Sequence, residues 1–593
     1  MKKLLLETSF SKIYMIVMIL ISLLILGSYF SYAMFTVTKE KNNAISIVTG
    51  NLTYKLEVDG EESNILTVVP NGSKEFIITL SNPNNRIARF NFYYIGDIPN
   101  NVEAGYIIDC ETNQVPEVKG VNLEKNGTSG SSNIYKIMVE NNSNNEVTID
   151  LGVNVGLDYN DLTLPSDGHL FNEYKDTPNA PELDDNMIAV KYENNNWVKT
   201  DVNNIDNDWY NYEEQKWANA VTVTSSTRSS YKNANVGTVV SMNDIETMWV
   251  WIPRYSYTIG SVDGTNYYGK KGCYLESEPT KSLPGEIDVR FVSNDIKDRG
   301  SAKYKTTTGS REYYTPDAFT FGDEELSGIW VGKFETSSSN PSASNGGGNV
   351  TNLDPMIKPN VISWRNINVS NAFNVSIKMN DSGNRYGFSS NVDTHMMKNS
   401  EWGLVSYLSQ SKYGKFGNTD FSGSNKEIYQ NKSDKYITGC SYGTPSNGNT
   451  DYGCQYTYDI EGSGTGASTT GNVYGIYDMS GGSWEYVMGN YNNTIGSGGF
   501  STMPESKFYD KYTSDNILTA CNGKECLSHG LSETVGLYND DHYMVSQQSP
   551  WMTRSGVYDN GRSSGVFYFH VYNYSSSGAA DLWCSFRLTI TSV

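Results

Sequence analysis

Residues 13–34 (IYMIVMILISLLILGSYFSYAM) carry no charge, and no second stretch of comparable length and apolarity follows them. A run of this length can cross the hydrocarbon core of a bilayer as a helix. Lys2, Lys3 and Lys12 precede it, while Lys39 and Lys41 follow at a distance. The positive-inside rule then puts the N-terminus in the cytoplasm and the remaining chain outside. The expectation is an N-terminal transmembrane helix on a single-pass cell-membrane protein with its bulk extracellular. Ser31-Tyr32-Ala33 also fits a small-x-Ala cleavage site, which would make the chain secreted. One span excludes a multi-pass channel or transporter.

The rest of the chain has to bury its own cores in water. Its 593 residues predict several domains, and 12% aromatic residues spread along the chain argue against disorder. With 45 Lys+Arg against 66 Asp+Glu the formal net charge is −21. No basic run exceeds single pairs such as Lys270-Lys271, so a nucleic-acid partner is excluded. Seven Cys and five His are scattered too widely for a zinc ribbon or finger. Besides 43 Tyr and 54 Gly there are roughly 64 Asn, about twice the usual share.

Residues 35–160 alternate short β-branched runs with turn dipeptides such as Asn71-Gly72, Asn82-Pro83 and Asn126-Gly127. Strands are expected at 44–48, 52–58, 65–69, 75–80, 88–95, 134–139 and 146–155, enough for an antiparallel sandwich. Its opening, "GNLTYKL" behind an apolar segment, resembles the exported sandwich domains of the bacterial biofilm-matrix TasA/camelysin type. The resemblance implies a stalk or matrix module. Residues 161–186 hold three prolines and no periodicity, and are expected to be a linker. From Met187 on, Trp becomes common and Gly/Ser/Asn loops dominate. A helix is expected at 399–411, where Trp402, Val405 and Leu408 recur at helical spacing, and a second, shorter one in the 510s.

Five segments of this part occur in a telling order: "MWVWIPRYSYTIG" (248–260), "FTFGDEELSGIWVGKFETS" (319–337), "THMMKNSEWGLVSYLSQSKYG" (394–414), "GNVYGIYDMSGGSWEYVMG" (471–489), and the terminal 554–590. Together they resemble the formylglycine-generating-enzyme/sulfatase-modifying-factor family over roughly 250–593. That resemblance implies a C-type-lectin-like α+β fold for a head spanning 187–593. In that family an Asn that helps bind a structural calcium stands where this chain has Gly482. Asp478 and Glu485 remain as oxygen ligands for such an ion. The family's oxidases need a reactive Cys pair after the Arg-Gly-Gly-like turn, where sulfur chemistry uses a copper-bound thiolate. Residues 554–569 contain no Cys, Cys584 lies outside that position, and His395, His529, His542 and His570 form no triad pattern. A non-catalytic member is expected.

The last segment has Arg554, Gly556, Asn560-Gly561, Gly565-Val566-Phe567 and Phe586-Arg587 in fixed order. It resembles the ligand-binding variable regions of lectin-fold proteins, including targets of diversity-generating retroelements and surface adhesins. Between the fixed positions Tyr558, Asp559, Asn560, Arg562, Tyr568, His570, Tyr572, Asn573, Tyr574, Ser576 and Trp583 are the candidate ligand contacts. Tyr and Trp offer rigid amphipathic area, and Asn and Ser offer adaptable hydrogen bonds. Phe567 and Phe569 are expected in the core and their polar neighbours outside. Cys440 with Cys454, and Cys521 with Cys526, bracket loops that disulfides would close. The expected protein is an adhesin or receptor-like molecule binding an extracellular glycan or protein. An exported enzyme of the same fold and a structural matrix subunit are the alternatives.

Overall fold

The computed structural model describes residues 52–95, 102–109, 120–141, 143–157, 168–169, 178–259, 270–271, 274–275, 287–292, 315–340, 344–415, 427–442, 452–516, 527–535, 540–561, 564–571 and 577–592. These fall into two compact units, one taking in the described residues up to 169 with Lys271 and Tyr274, the other the rest.

Unit 1 is made of antiparallel strands in two sheets. One runs, in spatial order, Lys55–Val58, Gly72–Ser81, Ser132–Asn141, Val102–Asp109. The other runs Ile65–Val68, Val147–Gly156, Ala88–Ile95, Val121–Leu123, with Gly168–His169 also paired to Ala88–Ile95. Side chains alternate between the faces of a strand. Phe76, Ile78 and Leu80, then Tyr135, Ile137 and Val139, therefore face one core with Ile149, Leu151, Val153 and Val155 of the other sheet. Turn backbone inside this unit is satisfied by asparagines. The Asn82 amide donates to the carbonyls of Arg86, Leu123 and Glu124, and that of Asn141 to Val68, Val69 and Asn145. The expected strand at 44–48 lies outside the described residues.

Unit 2 is built on a seven-stranded antiparallel sheet: Asn196–Lys199, Ile188–Glu193, Asn219–Val223, Ile245–Pro253, Gly328–Gly332, Leu588–Ser592 and Val392–Met396, in that spatial order. Residues 187–247 thus share one sheet with the segment that follows them. The strand Ile245–Pro253 is buried throughout, and its apolar run 248–253 is what a strand covered on both faces requires. Residues 179–182 also pack on this sheet: the indoles of Trp251 and Trp330 donate to the carbonyls of Asn179 and Glu182. A second sheet is centred on Trp484–Tyr491, which pairs with Trp551–Arg554, Asp510–Tyr512 and Cys584–Phe586. Phe569–His570 extends it from Trp551–Arg554.

Several expectations are corrected. The N-terminal transmembrane helix, and the single-pass membrane location drawn from it, are not supported. No helix among the described residues is long and apolar enough to cross a membrane, and residues 13–34 lie outside them. The α+β description gives way to a chain that is mostly β-sheet with few helices. The α-helices among the described residues are three short ones, Ser225–Asn233, Val369–Ile377 and Asn399–Ser409. The last is the expected 399–411 helix. The 510s, expected helical, instead give the strand Asp510–Tyr512, which pairs with Trp484–Tyr491. Three residues bonded to a neighbouring strand gain more than one unsupported helical turn, whose nucleation is costly.

Candidate binding surface

The segment "DMSGGSWEY" (478–486) organises this part of unit 2. Gly481 and Gly482 both adopt left-handed φ, +75° and +76°. A Cβ on Gly481 would stand 2.4 Å from the Asn431 carbonyl oxygen, and one on Gly482 2.4 Å from Glu335 Oε1. Only glycine lets the chain pass so close in that conformation. Three loops hang from this turn. Gly482 N donates to Asn431 O, Tyr558 N to Gly482 O, and Trp484 N to Trp583 O. The Asp478 carboxylate accepts from Asn431 Nδ2 (2.8 Å) and from Gly439 N (3.0 Å), fixing both ends of 431–439. The Ser555 hydroxyl donates to the carbonyls of Asp478 and Gly481.

Neither Asp478 nor Glu485 fits the calcium role. Both Glu485 oxygens take the Arg587 guanidinium, at 2.9 and 2.5 Å, with both side chains wholly buried. The Asp478 oxygens are occupied by the 431–439 loop. The Arg587 guanidinium thus supplies the charge that balances Glu485. Among the described residues no group of three or more His, Cys, Asp and Glu is placed to hold an ion. Burial and the charges of Asp478 and Glu485 push the Glu335 carboxyl well above the usual carboxylate range.

The loops held by this turn, with the loop that carries Tyr452, bring four aromatic rings together. Tyr558 lies nearly parallel to Trp583, centroids 6.1 Å apart and planes 16° apart. Tyr436 stands perpendicular to Tyr558 at 5.3 Å, and so does Tyr452 from another side at 5.2 Å. Tyr452 is 41% exposed and Leu582, beside Trp583, 58%; Tyr558 and Trp583 are half-buried, and Tyr436 is buried. The Arg365 guanidinium covers the Tyr436 ring at 3.6 Å and donates to the carbonyls of Leu582 and Ser344. Burial, then Asp559 and Asp434, raise the Tyr558 phenol above its ordinary value, so it stays protonated. The Cys440–Cys454 disulfide is formed. It ends the loop carrying Tyr452, whose neighbour Gly453 also donates from its amide to Lys432 O.

The expected contacts divide accordingly. Tyr558, Asp559 and Trp583 lie together in the cluster. Asn560 turns inward and its Oδ1 accepts from Val557 N at 2.7 Å, holding the turn that presents Tyr558. Tyr568, expected outside, is 2% exposed and accepts from Trp484 Nε1 at 3.0 Å. Residues 564–568 are loop and turn, not strand, so the expected alternation has no regular strand to act on there. His570 stacks on Tyr568 and meets the exposed Tyr543 at 4.7 Å. Arg562, Tyr572, Asn573, Tyr574 and Ser576 lie outside the described residues, as do Cys521 and Cys526. Nothing in the sequence pattern singles out Tyr436 or Arg365 as site residues. The one local signal was Tyr452, two residues before a cysteine expected to close its loop.

No family model matches the chain, and no curated protein matches it, so membership of the sulfatase-modifying-factor family has no such support. A solved structure titled "Major Tropism Determinant P3c Variant" is similar at 12% identity, over 57% of this chain and 72% of that one, with a TM-score of 0.20.

Proposed function

We propose that unit 2 is a non-catalytic, adhesin- or receptor-like binding module. Its contact surface is the cluster of Tyr558, Trp583, Tyr452 and Tyr436. The carrying observation is that loops distant in sequence converge on one glycine turn to present part-exposed aromatic rings beside carboxylates. Aromatic side chains give large contact area at low entropic cost and dominate binding hot spots. An enzymatic role is less favoured by the one free thiol among the described residues. Cys584 is fully buried, and burial raises its pKa well above the thiol range. A thiol held protonated and out of solvent is a poor nucleophile or copper ligand. The disulfide supports a ligand met in an oxidising compartment.

The test is a glycan and protein array probed with the full-length chain. A ligand should be retained by the wild-type protein and lost on Tyr558→Ala/Trp583→Ala, while a Cys-containing peptide incubated with the protein is recovered unmodified. Retention of every ligand by the double variant, or oxidation of the peptide, contradicts the proposal.

A further inference from the structure

We propose that Glu335 is a proton-operated latch beneath the binding surface: protonated, it lets the glycine turn close over it, and release of its proton frees the turn and its loops. This rests on the proposed binding surface and names its regulation. Geometry and charge carry the inference. Glu335 is 1% exposed, and its Oε1 accepts from Ser483 N at 2.8 Å. A Cβ on Gly482 would stand 2.4 Å from the same oxygen, so the turn lies directly on the carboxyl. From that turn Gly482 holds Asn431 and Tyr558 by backbone bonds. Ser483 Oγ lies 2.9 Å from Ser363 Oγ, and Ser363 N donates to Tyr436 O. A movement at Glu335 is therefore passed to the segments that carry Tyr436 and Tyr558.

The groups that face Glu335 are the Asp478 and Glu485 carboxyls, the Arg587 and Arg365 guanidinia and the Tyr436 phenol. Both Glu485 oxygens are on Arg587. Asp478 accepts from Asn431 Nδ2, Gly439 N and Glu335 N. Arg365 is held by the Tyr436 ring and the Leu582 and Ser344 carbonyls. Lys333, two residues before Glu335, donates to Asn219, Val473 and Gly475. Glu335 is held by a backbone N–H and not by a cation, and a buried carboxyl in that position is least costly as the neutral acid. Burial pushes Asp478 and Glu485 up as well, but their donors favour the ionised forms, so the proton of the cluster rests on Glu335. Once water reaches it, Glu335 returns to its ordinary value of 4.5 and ionises. Opening thus releases one proton, and the opening constant grows about ten-fold per pH unit until the closed form itself ionises.

Amide hydrogen exchange of the full-length protein, read by mass spectrometry on peptides covering 478–486 and 555–560, tests the latch. Protection is measured against free peptides of the same sequence, which removes the pH dependence of the exchange chemistry. In the wild type, protection should fall about ten-fold from pH 7 to pH 8. It should stay level in Glu335→Gln, which keeps an acceptor for Ser483 N and has no proton to release. Exchange at 478–486 should also outrun that of the core strand Asn219–Val223, which separates a local opening from global unfolding. If Glu335→Gln does not fold, the wild-type slope decides alone. Protection constant with pH in the wild type, an equal fall in Glu335→Gln, or exchange in step with Asn219–Val223 overturns the latch. Ligand retained on a glycan and protein array through Tyr558 and Trp583 should be lost from the wild type at lower pH than from Glu335→Gln. Identical retention by both at every pH overturns the regulatory role. Protection that falls as expected, with ligands indifferent to Tyr558→Ala/Trp583→Ala, overturns the binding surface and leaves the latch standing.

Discussion

At the scale of single residues, the unusual composition turns out to have two destinations. The asparagine excess serves loop backbone in many places: Asn82 and Asn141 hold turns of unit 1, and Asn204 and Asn384 do the same in unit 2. Asn71, Asn194, Asn195, Asn360 and Asn492 take left-handed φ, which Asn tolerates better than other non-glycine residues. Many tyrosines are core: Tyr255, Tyr257, Tyr407, Tyr477 and Tyr512 are wholly buried. Only a subset faces the proposed ligand, so Tyr/Asn enrichment in the sequence could not by itself locate the surface. Buried charge gives a pH prediction. His395 is wholly buried, with Nδ1 3.0 Å from Asp393 and Nε2 2.9 Å from Glu401. Burial opposes its protonation, but the Glu401 charge and both hydrogen bonds outweigh that and raise it to about 9. Glu401 is likewise pushed up by burial, yet His395 and Lys398 lower it to about 2. A raised histidine stabilises fully below its unfolded value of 6.5 and stops doing so as pH climbs through about 9. A lowered carboxylate stabilises fully above 4.5 and stops as pH falls through about 2. The stability this pair contributes is therefore fully present between these unfolded values, and about 3 kcal/mol of it is lost on going to pH 9 and above. In urea melts across pH, the change in stability on going alkaline should be less negative in His395→Gln than in wild type by about this amount. An equal slope in the variant refutes the assignment.

At the scale of elements, what the sequence made legible was regular structure with a strong local pattern. The strand Ala88–Ile95 and the helix Asn399–Ser409 stand where an aromatic-rich run between turn residues and helical spacing put them. The segment 510–512 did not, because its state depends on the partner strand at 489–491. The 564–568 stretch is not a strand for a related reason. Its apolar alternation suggests a strand, but Asp540 accepts from Gly565 N and Phe567 N, drawing those amides into a turn. The element most open to test is the loop closed by Cys440–Cys454, a sequence separation of 14. A cross-link of that span contributes about 3 kcal/mol in the chain-entropy account. Cys440→Ser/Cys454→Ser should lower the unit 2 melting midpoint accordingly. It should also abolish the effect of Tyr452→Ala on ligand binding, since the ring would no longer be held at Tyr558. A midpoint and affinity equal to wild type contradict this.

At the scale of the whole molecule, the two units own separate cores: the cluster containing Phe76, Tyr135 and Leu151 lies in unit 1, and the clusters around Trp249 and Trp402 lie in unit 2. Leu66, 0% exposed in unit 1, tests their independence. Leu66→Ala should cost about 2–5 kcal/mol in one of two calorimetric transitions and leave ligand retention by unit 2 unchanged. A shift of both transitions would mean the cores melt as one. By itself the sequence determined the strand-rich sandwich segments, the helix at 399–409 and the absence of Cys from 554–569, because period, turn chemistry and residue identity are local properties. Only the tertiary structure decided that Glu485 meets Arg587, that Tyr568 is buried, and that Tyr436, Tyr452, Tyr558 and Trp583 share one surface. Those outcomes depend on loops far apart in the chain bonding to a single turn, and no local pattern encodes which loops those are.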